Sequence, residues 1–235
     1  MRKSLRLCVS LITIILPAIL LLKGIYGSFI FTFSIPLLWQ VGFLGEPVSS
    51  LGLRRKFLWR SLIAGLITGA VLALLGGGII RFFGLSGQAL SELDKLQFSL
   101  GFFKIIFPLQ KEVGYRLLTM SNTLKGAFLY LFFSIFIIGL GEELFWRGFI
   151  QQKISNFFSK NISIWLTAIL FGLAHFYIFI IIPFRIGIFF LAMITIIGAI
   201  WGYLFQRFNN IWGAAVSHGM VAFVIWKYYF FVPLR

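Results

Sequence analysis

The residues with the clearest capacity for chemistry lie at 139–151, where Glu142, Glu143 and Arg147 interrupt an apolar run. The chain has only six acidic residues, and two of them are adjacent here. A charged side chain at membrane depth costs about 3 kcal/mol or more, so a buried acid pair indicates a functional site with a counter-charge nearby. On a helix Glu143 and Arg147 lie four residues apart in the favourable order for an ion pair. Because Glu142 points about 100° away, we expect Arg147 to neutralise Glu143 and Glu142 to stay available for chemistry.

The chain has two histidines, His175 and His218, and both lie within apolar stretches. A single histidine on an apolar helix is more often a hydrogen-bonded structural residue than a catalyst. Buried charges and imidazoles are costly without partners, however, so helices that each carry one are expected to turn these groups toward one another. The sequence therefore predicts one polar pocket that combines both histidines with Glu142, Glu143 and Arg147.

The composition is that of a membrane protein. Of the 235 residues 60% are hydrophobic and only 11% are charged, which excludes an ordinary soluble globule. The net charge of +15 arises from basic residues that cluster at the ends of apolar runs, which favours the bilayer over nucleic acid as the partner. A lone cysteine, Cys8, excludes an internal disulfide and a thiolate metal cluster. We expect residues 1–235 to form a single domain in the cell membrane.

The apolar stretches predict an all-α, multi-pass helical bundle. A helix needs about 20 apolar residues to cross a bilayer. We expect spans at 5–22, 25–44, 61–80, 126–147, 162–182, 186–205 and 211–231. The segment 97–110 is short and charged and is predicted to be an interfacial helix, although as an eighth span it would reverse the later topology. Basic residues at 2–6 and 54–60 place the N-terminus and the 45–60 loop on the cytoplasmic side.

Two pairs of glycines have the spacing that lets membrane helices approach closely, Gly65 with Gly69 and Gly198 with Gly202. Glycine is common in membrane helices in any case, so an incidental origin remains the alternative. The pairs therefore indicate candidate helix contacts and no function.

The three motifs together resemble a known family. Glu142-Glu143-x-x-x-Arg147, Phe171-x-x-x-His175 and His218, each in its own apolar stretch and in this order, are similar to the motifs of the CAAX protease and bacteriocin-processing family. This family is also called the Abi family and includes type II CAAX prenyl endopeptidases. The resemblance covers residues 115–222, a family-like catalytic core, and implies an intramembrane glutamate-dependent endopeptidase.

The resemblance also implies roles for the site residues. Glu142 would act with His175 to activate a water, Glu143 and Arg147 would form a structural pair, and His218 would stabilise the oxyanion. The family has an Asn or a similar polar residue one turn after the last histidine, whereas this chain has Ala222. Three readings follow: a slower enzyme, a donor supplied by another residue such as Ser217 or Asn209, or a relative without activity. Ser217 faces about 100° away from His218 and is a poor substitute.

A zinc site is an alternative, because one glutamate and two histidines can form a three-ligand catalytic site. The His-Glu-x-x-His pattern that places two zinc ligands on one helix face is absent from the sequence. The resemblance implies glutamate chemistry without a metal, so we expect no cofactor.

The sequence as a whole predicts a peptidase that acts on a membrane-associated or lipid-anchored peptide or protein near its C-terminus. A CAAX-type substrate, a bacteriocin precursor and a C-terminal sorting signal all fit. The first alternative is a non-catalytic scaffold or immunity protein that keeps the fold, which Ala222 favours. The second is a proton-coupled transporter, since buried Glu and His also occur in proton relays. Transporters commonly contain inverted repeats, whereas here the ionisable motifs all lie in the second half of the chain.

Overall fold

The computed structural model describes residues 36–83, 123–175, 179 and 183–225, and every regular element in these ranges is a helix or a helical turn. The prediction of an all-α protein is confirmed for these ranges. A short 3₁₀ turn, Val48–Leu51, joins the first two helices. The helices are α1 (Pro36–Phe43), α2 (Leu58–Phe82), α3 (Leu124–Ser155), α4 (Lys160–Ala174), α5 (Phe184–Phe208) and α6 (Trp212–Ile225).

Three of these helices, α2, α3 and α5, are long and apolar enough to cross a bilayer. They contain the spans predicted at 61–80, 126–147 and 186–205. The shorter apolar helices α4 and α6 occupy the first parts of the predicted spans 162–182 and 211–231. The span at 5–22, most of 25–44 and the segment 97–110 lie outside the described residues, so the count of seven to eight spans stays a prediction.

Helix α3 carries the acid pair and extends beyond its predicted end at residue 147. It begins where the Thr123 hydroxyl accepts a hydrogen bond from the Gly126 amide, as at a regular N-cap, and it ends at Ser155. Its backbone widens to π-helical hydrogen bonding over Ser134–Gly139 and Leu144–Gln151. The α-helical turn Leu140–Glu143 separates these two stretches. The acid pair lies in this turn, between the two π-helical stretches. Because π-helical turns occur frequently at functional sites, their position on both sides of the acids indicates an unusual part of the helix.

Helix α4 ends earlier than the sequence predicts, at Ala174, and His175 is its capping residue. In a regular helix the amide of residue 175 would bond to the carbonyl of Phe171. Here His175 Nδ1 donates to that carbonyl at 2.8 Å. The His175 amide instead donates to the Gly172 carbonyl, which forms a tighter turn. A side chain that competes with the backbone in this way terminates a helix. His175 therefore lies at a helix end and not within a continuous span.

Helix α6 lies at the centre of the described bundle, in contact with α2, α3 and α5. Its backbone approaches α2 so closely that a Cβ on Gly65 would collide with the Gly213 carbonyl. On its other side, a Cβ on Gly139 of α3 would collide with the Ala215 carbonyl, and one on Gly219 would collide with Ile135. The glycines of α2 are thus real helix contacts, and they allow α6 to sit between two neighbours.

The 45–60 connection is fixed to the helices of the core. Leu51 is fully buried, and its backbone lies against Gly148 of α3. The Ser61 hydroxyl donates to Asn210 Oδ1 at 2.6 Å and accepts from the Gly213 amide at 2.9 Å. These bonds tie the start of α2 to the turn that leads into α6, so the position of α6 is set at this end as well.

The close contact between α2 and α6 predicts a position-specific effect on stability. Gly65→Ala should lower the free energy of unfolding by about 1–3 kcal/mol, because overpacking a tight contact forces the backbones apart. Gly78→Ala on the same helix is the matched control, since a Cβ there meets no atom of the described residues within 4 Å. It should be neutral or stabilising, as Ala is the better helix former. Thermal unfolding of both purified variants in detergent tests this, and equal midpoints would contradict the packing described here.

Candidate active site

The centre of the site is a buried ion pair on α3. Arg147 Nη1 donates to Glu143 Oε1 at 2.9 Å, and both side chains are fully buried. The second terminal nitrogen of Arg147, Nη2, donates to the Gly198 carbonyl of α5 at 2.6 Å. The guanidinium therefore neutralises Glu143 and binds α3 to α5 at the same time.

His218 on α6 bonds to the same oxygen of Glu143 as Arg147 does. Its Nδ1 lies 2.9 Å from Glu143 Oε1, and its Nε2 lies 3.7 Å from Glu142 Oε2. A carboxylate that already accepts from Arg147 is an acceptor, so Nδ1 of the imidazole is the donor in the shorter contact. The sequence analysis did not predict this bond. One imidazole therefore spans both acids, with Nε2 directed toward Glu142.

Aromatic rings enclose the two histidines. The Trp201 ring of α5 stacks on the His218 ring with centroids 4.0 Å apart and an interplanar angle of 15°. Phe171 meets His218 edge to face at 5.8 Å and lies 4.6 Å from His175. Phe171 is also buried. Its ring touches both histidines, so it forms part of the wall between them.

His175 approaches the site from the end of α4. Because its Nδ1 is bonded to the Phe171 carbonyl, Nδ1 carries the proton and the neutral ring has its lone pair on Nε2. The Phe171 ring lies between the two imidazoles, 4.6 Å from that of His175 and 5.8 Å from that of His218. His175 therefore presents a lone pair on Nε2 beside the His218 side of the site.

The five side chains singled out in the sequence, Glu142, Glu143, Arg147, His175 and His218, lie together in one cluster built by α3, α4 and α6. They differ in access to solvent. The Glu142 side chain is 14% exposed, whereas Glu143 and Arg147 are 0% exposed. Glu142 is therefore the accessible carboxylate of the pair, and Glu143 is held by two donors inside the protein.

The two residues considered as substitutes for the missing donor lie apart from the His218 ring. Ser217 is buried, its Oγ accepts from Trp201 Nε1 at 2.9 Å, and its side chain points about 100° around α6 from that of His218. Asn209 is the exposed, left-handed residue that ends α5, about 12 Å along the helix from Trp201. Ala222 is 8% exposed and presents only a methyl group.

Helix α5 contributes to the site although it carries no motif. Gly198 and Gly202 turn their carbonyls toward Arg147 and Gln151 of α3, with the Gln151 amide 3.3 Å from the Gly202 oxygen. Gln151 is buried, as are Glu143 and Arg147, which precede it at intervals of four residues on α3. The spacing of the glycines was the available sequence signal for this contact. Nothing in the sequence indicated that Trp201 would lie against His218.

The cluster was also considered as a metal centre. Among the described residues, no group of three His, Cys, Asp or Glu side chains is arranged to hold a metal ion. The Glu143 and His218 atoms closest to each other are already hydrogen-bonded.

The buried pair predicts strong coupling between its two members. Arg147→Met should destabilise the protein by about 3–5 kcal/mol, because it leaves the Glu143 charge buried with one partner fewer. Adding Glu143→Gln should recover much of that loss, since the remaining groups are neutral and similar in volume. Thermal unfolding of both single variants and the double variant forms the test. Strictly additive effects would show that the two side chains do not interact.

A comparison with known proteins agrees with the geometry. Residues 123–224 match the family model described as type II CAAX prenyl endopeptidase Rce1-like, and this range includes all five site residues. No curated protein and no solved structure is significantly similar to the chain. The matched family is one of membrane-embedded peptide hydrolases, in agreement with the three apolar helices long enough to span a bilayer. The family whose model residues 123–224 match is thus the one that the three motifs predicted.

Proposed function

We propose that this protein is an intramembrane glutamate-dependent endopeptidase with Glu142 as the general base. The observation that carries the proposal is the unequal access of the two adjacent acids, since Glu142 is 14% exposed and Glu143 is 0% exposed. A general base must reach a water molecule and exchange a proton with it. Of the two carboxylates only Glu142 meets that requirement.

The proposed reaction begins with the activation of water. Glu142 removes a proton from a water molecule, and the hydroxide attacks the carbonyl carbon of the scissile peptide bond. The lone pair on His175 Nε2 accepts a hydrogen bond from the second O–H of this water and orients it. Glu142 then returns its proton to the amine that leaves as the C–N bond breaks, which restores the carboxylate.

His218 serves the opposite side of the reacting carbonyl. Its Nδ1 is committed to Glu143, so only Nε2 is directed into the site. When Nε2 carries a proton, it donates to the oxygen that becomes negative in the tetrahedral intermediate. Because Ala222 offers no second side-chain donor, we expect turnover roughly 10²- to 10³-fold below that of an otherwise equal site with one.

The substrate class follows from the surroundings of the site. The acids and His218 lie within apolar helices and His175 lies at the end of one, so the scissile bond must reach them from within or beside the membrane. A membrane-associated or lipid-anchored peptide cleaved near its C-terminus fits this requirement. The family description names prenylated CAAX substrates, and unprenylated bacteriocin precursors or C-terminal sorting signals fit the same geometry.

One observation favours a second function. Ala222 leaves the third motif without its polar partner, which is compatible with a scaffold or immunity protein that keeps the fold and binds a partner without hydrolysis. In that case the buried Glu143–Arg147 pair would be required for folding, whereas Glu142 would be dispensable.

The two functions make opposite predictions for Glu142→Gln. If Glu142 is the general base, this variant should lose about 10²- to 10⁴-fold in activity while its thermal stability stays close to that of the wild type. Glu46→Gln, the same change outside the site, is the matched control and should keep full activity. The assay uses internally quenched peptides that end in Cys-aliphatic-aliphatic-X, with and without a prenyl group on the cysteine.

A survey of the peptide termini in cell membranes detects substrates that the set of quenched peptides does not include. Membranes with wild-type protein should contain cleaved C-termini that are missing with Glu142→Gln and present with Glu46→Gln. Identical termini in all three samples, together with an inactive wild-type enzyme in the peptide assay, would overturn the peptidase proposal in favour of the scaffold.

A further inference from the structure

We propose that Trp201 is a positioning residue that holds the His218 imidazole with Nε2 directed at Glu142. The inference rests on the proposed function, because it assigns Trp201 a part in the same reaction. Trp201 lies outside the three motifs, and α5 carries no side chain that would take part in the chemistry.

The first observation is the contact itself. The Trp201 and His218 rings are nearly parallel, 4.0 Å apart at 15°, and Trp201 is 2% exposed. Its indole Nε1–H donates to Ser217 Oγ at 2.9 Å. One side chain of α5 therefore contacts two consecutive residues of α6, and Ser217 fixes the indole in the plane that stacks on His218.

The second observation is that the other constraints on His218 do not fix its ring plane. The bond from Nδ1 to Glu143 Oε1 holds one atom, about which the ring could still tilt. The stacked indole holds the plane, and the edge of Phe171 limits the ring from a third direction. Because Glu143 fixes the position of Nδ1 and Trp201 fixes the plane of the ring, Nε2 faces Glu142 Oε2 at 3.7 Å.

The third observation explains why this orientation matters in this chain. With Ala222 one turn later on α6, His218 is the donor that this helix contributes to the site. A displacement of about 1 Å in a catalytic group can reduce the rate about 10²-fold. If the His218 ring could tilt, the site would lose much of the stabilisation that His218 gives to the oxyanion. A polar side chain at position 222 could have compensated for that loss, but Ala222 cannot.

Helix α5 supplies this support within one turn. Gly198 accepts from Arg147, which holds Glu143, and Trp201 lies three residues later on the same face. The Arg147 guanidinium carbon also lies 5.5 Å from the centre of the Trp201 ring. Both partners of His218, the carboxylate and the indole, are therefore positioned by one short segment of α5.

A spectroscopic test measures the orientation independently of any activity. The full-length protein, labelled with ¹³C and ¹⁵N at histidine and held in detergent micelles, should give two sets of ring signals, which His218→Gln assigns. Ring-current shielding by the indole should move the His218 ring protons upfield. The shift should be lost in Trp201→Leu, largely kept in Trp201→Phe, and unchanged in Trp165→Leu. Trp165 is a matched control because it is a 45% exposed tryptophan on α4.

A kinetic test uses the same variants with the prenylated Cys-aliphatic-aliphatic-X peptide. Trp201→Leu should lower kcat about 10²-fold and change KM little, since the residue positions a catalytic group and does not contact substrate. Trp201→Phe retains the aromatic face and should recover most of kcat. Trp165→Leu should leave both constants unchanged.

The outcomes separate the possible failures. Loss of the upfield shift in Trp201→Leu with kcat unchanged would overturn the positioning role, as would a wild-type His218 signal without any upfield shift. If Trp201→Leu fails to fold, Trp201→Phe decides: a kept shift with full kcat supports the proposal, and a kept shift with a kcat as low as that of Glu142→Gln overturns it. A protein that shows the shift but cleaves no substrate would refute the proposed function while leaving the ring geometry established.

Discussion

The buried carboxylate of Glu143 is the charge on which the rest of the described structure depends. It has no exposure to solvent and is held by Arg147 from its own helix and by His218 from α6. Arg147 in turn is held by a carbonyl of α5. A charge without compensation in such a place would cost several kcal/mol. The three helices are thus linked through one oxygen of this carboxylate, Oε1, whereas the buried Oε2 has no hydrogen-bond partner among the described residues.

The environment of Glu143 also defines what its neighbour can do. Two identical side chains occupy consecutive positions, but the helix directs them about 100° apart. One meets a cation and an imidazole inside the protein, whereas the other keeps partial exposure beside His218 Nε2. Identical chemistry placed in different surroundings produces one structural group and one accessible group. Glu142 is therefore proposed as the general base because of its surroundings, since its side chain is the same as that of Glu143.

Close backbone packing brings His218 to this carboxylate. Glycines on α2, α3 and α6 allow the backbone of α6 to approach both neighbouring helices. Van der Waals contact of this kind replaces the hydrophobic effect as the main attraction between helices in a lipid environment. A larger side chain at these positions would move α6, and with it the histidine, away from the acids. Packing at these glycines therefore controls the distances within the site.

Much of the site could be predicted from the sequence. Charged and imidazole side chains are so costly in apolar helices that Glu142, Glu143, Arg147, His175 and His218 were expected to converge, and the spacing of Glu143 and Arg147 predicted their pair. The all-α class followed from composition and from the length of the apolar runs. The all-α class of the described residues and the pair of Glu143 with Arg147 are confirmed, because both depend on local periodicity and on the cost of burying charge, which are properties of the sequence itself.

Other features were decided only by the tertiary structure. Helix α4 ends at Ala174 because the His175 side chain captures the Phe171 carbonyl, whereas the apolar run alone predicted a continuous span. The bond between His218 and Glu143, and the stacking of Trp201 on His218, join residues that are distant in the chain and carry no shared motif. Such contacts depend on how the helices are rotated and how closely they approach. The sequence by itself determined which side chains need partners, and the packing of the helices decided which partner each one has.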